Sequence, residues 1–190
     1  MKNILLAALL GALVAFIWGA LSWAVLPFHM MSMHKMKNED QMIEMMKQNI
    51  SKTRVYAFPG WDENAPDKKA QEQAVGQKFR TGPSGWVFYH AEGRELMDPK
   101  QYISGFLIAF IGASLAAFAL ALAADKLPRY FHRVLFVMMI GLFAAVETDL
   151  TYWNWMWFPT KWSLLFMSDH VITWFLAGLL IAWRIKPAKT

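Results

Sequence analysis

Apolar residues fall along this chain in four long blocks separated by polar sequence. A bilayer-spanning helix needs about 20 mostly apolar residues. Residues 4–26 carry no charge and stop at Pro27, and residues 102–124 are likewise uncharged. A third block, 134–153, is interrupted near its end by Glu147 and Asp149, and a fourth, 163–183, by Asp169 and His170. The pattern predicts an all-α membrane protein with four transmembrane helices and a small α+β insertion between helices 1 and 2. The chain then divides into helix 1 as a signal anchor (1–27), the insertion (28–101), helix 2 (102–124) and a short loop (125–133). Helix 3 (134–153), an aromatic loop (154–162), helix 4 (163–183) and a tail (184–190) follow.

The insertion carries weaker signals. Asn38 reads as a helix cap, with Glu39 and Asp40 in the first turn and Lys47 near the end. Met42, Ile43, Met45, Met46 and Ile50 give that helix an apolar face. Residues 54–58 and 86–90 read as short strands bounded by Pro59-Gly60, by the turn 82–85 and by Glu92-Gly93, with a short helix starting at Pro66 between them. A segment of this size is too small to bury a core of its own, so it is expected to lean on the membrane surface or on a partner.

Lys2 supplies a basic start, but the apolar stretch behind it far exceeds the 7–15 residues of a cleavable signal, and Ala20-Leu21-Ser22 is a poor cleavage site. The first block is therefore expected to be retained. Orientation follows the basic residues at the span ends. Lys2, Lys126, Arg129, Arg133, Arg184, Lys186 and Lys189 share one side with a single acid, Asp125, whereas the loop 154–162 holds only Lys161. Both termini are thus expected in the cytoplasm, with 28–101 and 154–162 outside. Of the 190 residues 56% are apolar and 17% charged, against roughly 45–50% and 25% in soluble domains. The net charge of +5 is accounted for by this topology and calls for no nucleic acid. There are no cysteines, which rules out disulfides, thiolate metal sites and thiol nucleophiles.

Small residues recur at helical spacing in the blocks: Ala7, Gly11, Ala15 and Gly19, then Gly105/Ala109, Gly112/Ala116 and Gly178/Ala182. Such stripes let helix backbones approach closely in lipid. The run Trp18-Gly19-Ala20-Leu21-Ser22-Trp23 into Leu26-Pro27-Phe28-His29, the Asn38-Glu39 helix start, and Trp153-Asn154-Trp155 before Phe158-Pro159 resemble a group of small bacterial four-span membrane proteins. Those proteins have a signal anchor and a small extracytoplasmic domain. The resemblance implies a multi-pass protein of the bacterial inner membrane and brings no catalytic residue with it.

Three places are candidates for chemistry. Counting at about 1.5 Å per residue, Glu147, Asp149, Asp169 and His170 fall at one depth, in the outer third of the bilayer. An acid there needs an offset: an imidazole partner, a bound cation or water. The competing reading ends helix 3 near Val146 and leaves Glu147 and Asp149 at the surface. Residues two apart also differ by about 200° around a helix, so these two acids cannot face one partner without distortion. The second place is His29, Met30, Met31, Met33, His34 and Met36, whose soft ligands suit copper(I) but whose spacing does not enforce a site. The third is the aromatic set Trp153, Trp155, Trp157, Phe158 and Trp162, suited to lipid headgroups or to another integral membrane protein. No phosphate loop, nucleophile elbow or metalloprotease motif occurs. A non-enzymatic accessory or assembly subunit of a larger membrane complex is the leading expectation, with no cofactor. A small transporter or ion- and proton-handling protein, and extracytoplasmic copper handling, are the alternatives.

Overall fold

The computed structural model describes residues 2–27 and 29–188; Phe28 of the 26–29 motif and Lys189 of the basic flank lie outside the described residues. In chain order the elements are α1 (Lys2–Ala20) running into a π turn (Leu21–Val25), a 3-10 turn (Met30–Ser32), α2 (Glu39–Asn49), β1 (Arg54–Phe58), α3 (Lys68–Thr81) and β2 (Gly85–Tyr89). Then come α4 (Pro99–Ala123), α5 (Tyr130–Ala145) with a second π turn (Val146–Leu150), α6 (Thr151–Trp155) and α7 (Thr160–Arg184). They form two compact units, Met1–His34 with Leu96–Thr190, and Lys35–Glu95.

The first unit holds the four apolar helices. With their extensions they run Lys2–Val25, Pro99–Lys126, Tyr130–Trp155 and Thr160–Arg184, the shortest being 24 residues. At about 1.5 Å per residue that is roughly 36 Å, enough to cross a hydrocarbon core. The last three overrun their apolar blocks at both ends, and the first at its N-terminal end alone, because polar flanks still sustain helical hydrogen bonds. At α4, for example, Asp98 caps the Lys100 amide at 2.9 Å and Pro99 occupies the first turn.

Packing in this unit is the inverse of a soluble core. Its buried residues are mostly small, among them Ala7, Ala8, Ala12, Ala113, Ala116, Ala117, Ala177 and Ala182, while Leu5, Ile108, Leu122 and Phe143 point outward. Small residues inside and large apolar ones outside is the arrangement expected where lipid is the solvent. The helix α7 packs against α5 and α1, and α1 packs against α4. A Cβ on Gly11 would sit 2.7 Å from Cδ1 of Ile181. The Trp174 side chain lies against Gly112 of α4 and Gly141 of α5, filling the space that both glycines leave. The expected stripe on α1 is corrected in part: Ala7 and Gly11 pack together with Ala8 and Ala12, whereas Gly19 has open space beside it.

At the end of the bundle that holds the α1 N-terminus, Arg133 is buried. It donates from Nη1 to the carbonyls of Leu127 and Pro128 at 2.9 Å each, and from Nε to that of Ala182 at 3.4 Å. Tyr130 donates to the Leu179 carbonyl at 2.9 Å. Arg133 thus does more than mark topology: it satisfies backbone acceptors at the α4–α5 turn and on α7. Arg184 donates to Oδ1 of Asn3 at 2.6 Å, and the Ala188 amide to Asp125 at 2.7 Å.

In the second unit β1 and β2 pair antiparallel, with Arg54 opposite Tyr89 and Phe58 opposite Gly85. The connecting helix α3 starts two residues later than Pro66, because Asp67 takes the cap and accepts from the Lys69 and Ala70 amides. Asn38 precedes α2 in the left-handed region, φ 55°, and makes no side-chain cap, contrary to its expected role. The pair of strands is tied at its open end by Thr53, which donates to Glu92 at 2.9 Å and accepts from the Ala91 amide at 3.0 Å.

Candidate functional site

Asp169 and His170 are consecutive on α7, and each meets an ionisable partner of the opposite type from another segment. Asp169 is buried. One of its oxygens accepts from the Trp18 indole at 2.6 Å, and the other lies 3.2 Å from Nε2 of His29 and 3.5 Å from the Ser22 hydroxyl. Trp18 and Ser22 are four residues apart and share one face of the end of α1. Beyond Pro27 the chain turns His29 back over this end. Its imidazole is 1% exposed, stacks on Trp23 at 3.9 Å and meets the Phe166 ring edge-on at 4.8 Å. One carboxylate therefore fastens the end of α1 and the segment after it to α7.

The second pair comes from the π turn in α5. Helix 3 does not stop at Val146: it passes through Val146–Leu150 into α6 and ends at Trp155. The added residue in that turn rotates Asp149 inward, where it is 7% exposed and lies 2.8 Å from Nδ1 of His170. Glu147 is exposed and makes no hydrogen bond or ion pair among the described residues. The four-residue cluster expected from depth thus resolves into two carboxylate–imidazole pairs: Asp149 with His170, and Asp169 with His29.

A carboxylate only accepts, so the contact with Asp149 places an imidazole proton on Nδ1. The His170 side chain is 43% exposed, and its Nε2 has no hydrogen-bond partner among the described residues. His170 and Asp149 line a cleft of about 290 Å³, together with Thr148, Tyr152, Phe158, Trp162, Ser163 and Phe166. Ser163 is buried, and its hydroxyl has no partner among the described residues. A buried polar group left unpaired costs about 1–3 kcal/mol, and the Ser163 hydroxyl oxygen is itself enclosed behind the cleft wall.

The aromatic link builds the rest of the wall. With α6 ending at Trp155 and α7 starting at Thr160, the connection is 156–159, shorter than the loop expected over 154–162. Trp157 adopts φ 54° within it, the Phe158 amide donates to the Tyr152 carbonyl at 3.3 Å, and the Phe158 ring lies 5.4 Å from that of Tyr152. Trp162 stacks on Phe166 at 4.4 Å, and the Trp153 indole donates to Thr160 at 3.1 Å. Of the five aromatics singled out in the sequence, Phe158 and Trp162 line the cleft, Trp153 braces the link, and Trp155 and Trp157 are 75% and 61% exposed.

The candidate copper segment is distributed differently. His29 is committed to Asp169, while Met30, Met31, Met33, His34 and Met36 are exposed. Sequence reasoning missed Trp18, Ser22, Phe166 and Ser163. The available signal was the requirement that an acid within a span find donors, which Trp18 and Ser22 supply at helical spacing. Comparison of the chain with family models, curated proteins and solved structures finds no match. The four long apolar helices make the chain a multi-pass integral membrane protein.

Proposed function

We propose that this membrane protein binds a small polar ligand from the extracytoplasmic side, in the cleft headed by Asp149 and His170, as a non-enzymatic subunit of a larger membrane assembly. The observation that carries the reading is Nε2 of His170, without a hydrogen-bond partner among the described residues, on a cleft whose other walls are aromatic. The small-transporter reading has less support. Between the site and the Arg133 end lie Ala113, Ala116, Ala117, Leu120, Val134, Val137, Ala177 and Ile181, each at most 1% exposed, and an ion crossing such a layer pays the full intramembrane penalty. The resemblance to small bacterial four-span proteins supports an inner-membrane location with both termini in the cytoplasm.

Native mass spectrometry of the protein released from its own membranes tests the binding reading. The expected result is a small molecule retained by the wild type and lost from His170→Leu. A wild-type protein that retains nothing would contradict it. Membership of an assembly is favoured by the exposed Trp155 and Trp157, since such rings are preferred interface anchors. A stoichiometric membrane partner lost on combined Trp155→Ala and Trp157→Ala substitution is the expected outcome of affinity purification in nanodiscs. A monodisperse, partner-free species would count against it.

A further inference from the structure

If the cleft is a binding site, as read above, its walls state the charge of the occupant. Four aromatic rings line it, drawn from two segments. Tyr152 of α6 and Phe158 of the link lie 5.4 Å apart and tilted by 40°. Trp162 and Phe166 of α7 lie 4.4 Å apart, 24° between planes. Asp149 adds a carboxylate to these rings. One of its oxygens faces Nδ1 of His170 at 2.8 Å, and the other, Oδ1, has no hydrogen-bond partner among the described residues and keeps access to the cleft. No lysine or arginine lines the cleft among the described residues. With the carboxylate ionised, Asp149 and His170 together are anionic or neutral, whichever form the imidazole takes. The faces of aromatic rings are negative. An anion would therefore meet an adverse field here, and a cation a favourable one.

The scarcity of acceptors then selects among cations. A protonated primary amine brings three N–H groups, and each one left unpaired on leaving water costs free energy. The Ser163 hydroxyl is enclosed and cannot receive them. A quaternary ammonium has no N–H to satisfy, and grouped aromatic rings are the surface that recognises it. We propose that the cleft binds a choline-type head group: a quaternary ammonium held among the four rings beside Oδ1 of Asp149, with a short oxygen-bearing arm at Nε2 of His170. A hydroxyl on that arm suits the imidazole in either form, since it can donate to a lone pair or accept from an N–H. At about 290 Å³ the cleft is at the small end of ligand pockets, which run from roughly 300 Å³ upward, and takes a head group without acyl chains. The same unit occurs free and at the end of a phospholipid, and the two sources are separable.

Calorimetric titration of the full chain in phosphatidylglycerol nanodiscs, whose lipids carry no ammonium, provides the test. The probes are choline, its uncharged carbon isostere 3,3-dimethylbutan-1-ol, and ethanolamine. Choline should bind saturably and about tenfold more tightly than the isostere, as expected for a cation among ring faces, and more tightly than ethanolamine. Asp149→Asn should shrink the preference for charge severalfold, and Trp162→Leu should weaken choline more than the isostere. Equal affinity of the unaltered protein for choline and the isostere would overturn the proposal without recourse to any variant, and so would a preference for ethanolamine. Loss of the choline signal in nanodiscs doped with phosphatidylcholine would support the lipid head group as the source, and an unchanged signal the free compound. Failure of choline while another small molecule is retained from native membranes would overturn the proposal and leave the binding site standing. Failure with nothing retained would overturn both.

Discussion

Asp169 holds Trp18, Ser22 and His29 on one carboxylate, whereas Asp149 holds His170 alone. Losing the charge should therefore matter more at Asp169. Asp169→Asn is expected to lower stability by about 1–3 kcal/mol, the range for buried polar groups left mispaired, and Asp149→Asn by less. Equilibrium unfolding in bicelles measures both, and equal tolerance would contradict the clasp. A gentler effect is expected outside the spans. The Thr53 hydroxyl holds the Glu92 carboxyl below its ordinary value of 4.5, aided by a backbone hydrogen bond and by His90. A lowered folded value means that the ionised pair supports the hairpin above that pH and releases it as pH falls through the folded value. Exchange protection of the Ala91 amide should accordingly exceed that of Glu92→Gln near neutrality and match it in strong acid. Residue identities were legible at this scale, but pairings were not. His29 lies 140 positions from Asp169, and nothing local distinguishes an imidazole bound for a buried carboxylate from one awaiting a metal.

At the scale of elements, glycine acts by what it leaves room for. A Cβ on Gly141 would collide with the Cβ and Cγ atoms of Trp174, which lie close to the α7 backbone and cannot swing aside. Gly141→Ala is therefore expected to destabilise by about 1–3 kcal/mol despite the better helix propensity of alanine. Gly19→Ala, with open space beside it, should be neutral or slightly stabilising. Thermal unfolding of the two variants checks the contrast, and a reversal would contradict the packing of α7 against α5. The four long helices were legible because each apolar block is far longer than a soluble helix requires. The π turns were not. Leu21–Val25 and Val146–Leu150 each sit at the site, and each depends on contacts with another helix that a single strand of sequence does not display. Glu147 and Asp149 share no partner: within the π turn Asp149 is buried and Glu147 is exposed.

For the molecule as a whole, the distribution of basic residues predicts where each end lies. Reporters fused after Pro128 and at the C-terminus should score as cytoplasmic, and one inserted near Asn64 as extracytoplasmic. A C-terminus on the outside would contradict the orientation from which the site is read as outward-facing. That orientation matters for the ligand, because the apolar layer from Ala113 to Ile181 separates the cleft from the Arg133 end and leaves it served from its own side. The most direct test of the binding claim is a high-resolution structure of the protein purified in its native lipids. The account predicts non-protein density in the cleft, in contact with Nε2 of His170. A cleft closed by Trp162 or filled by an acyl chain, with Nε2 of His170 still unpaired, would contradict it.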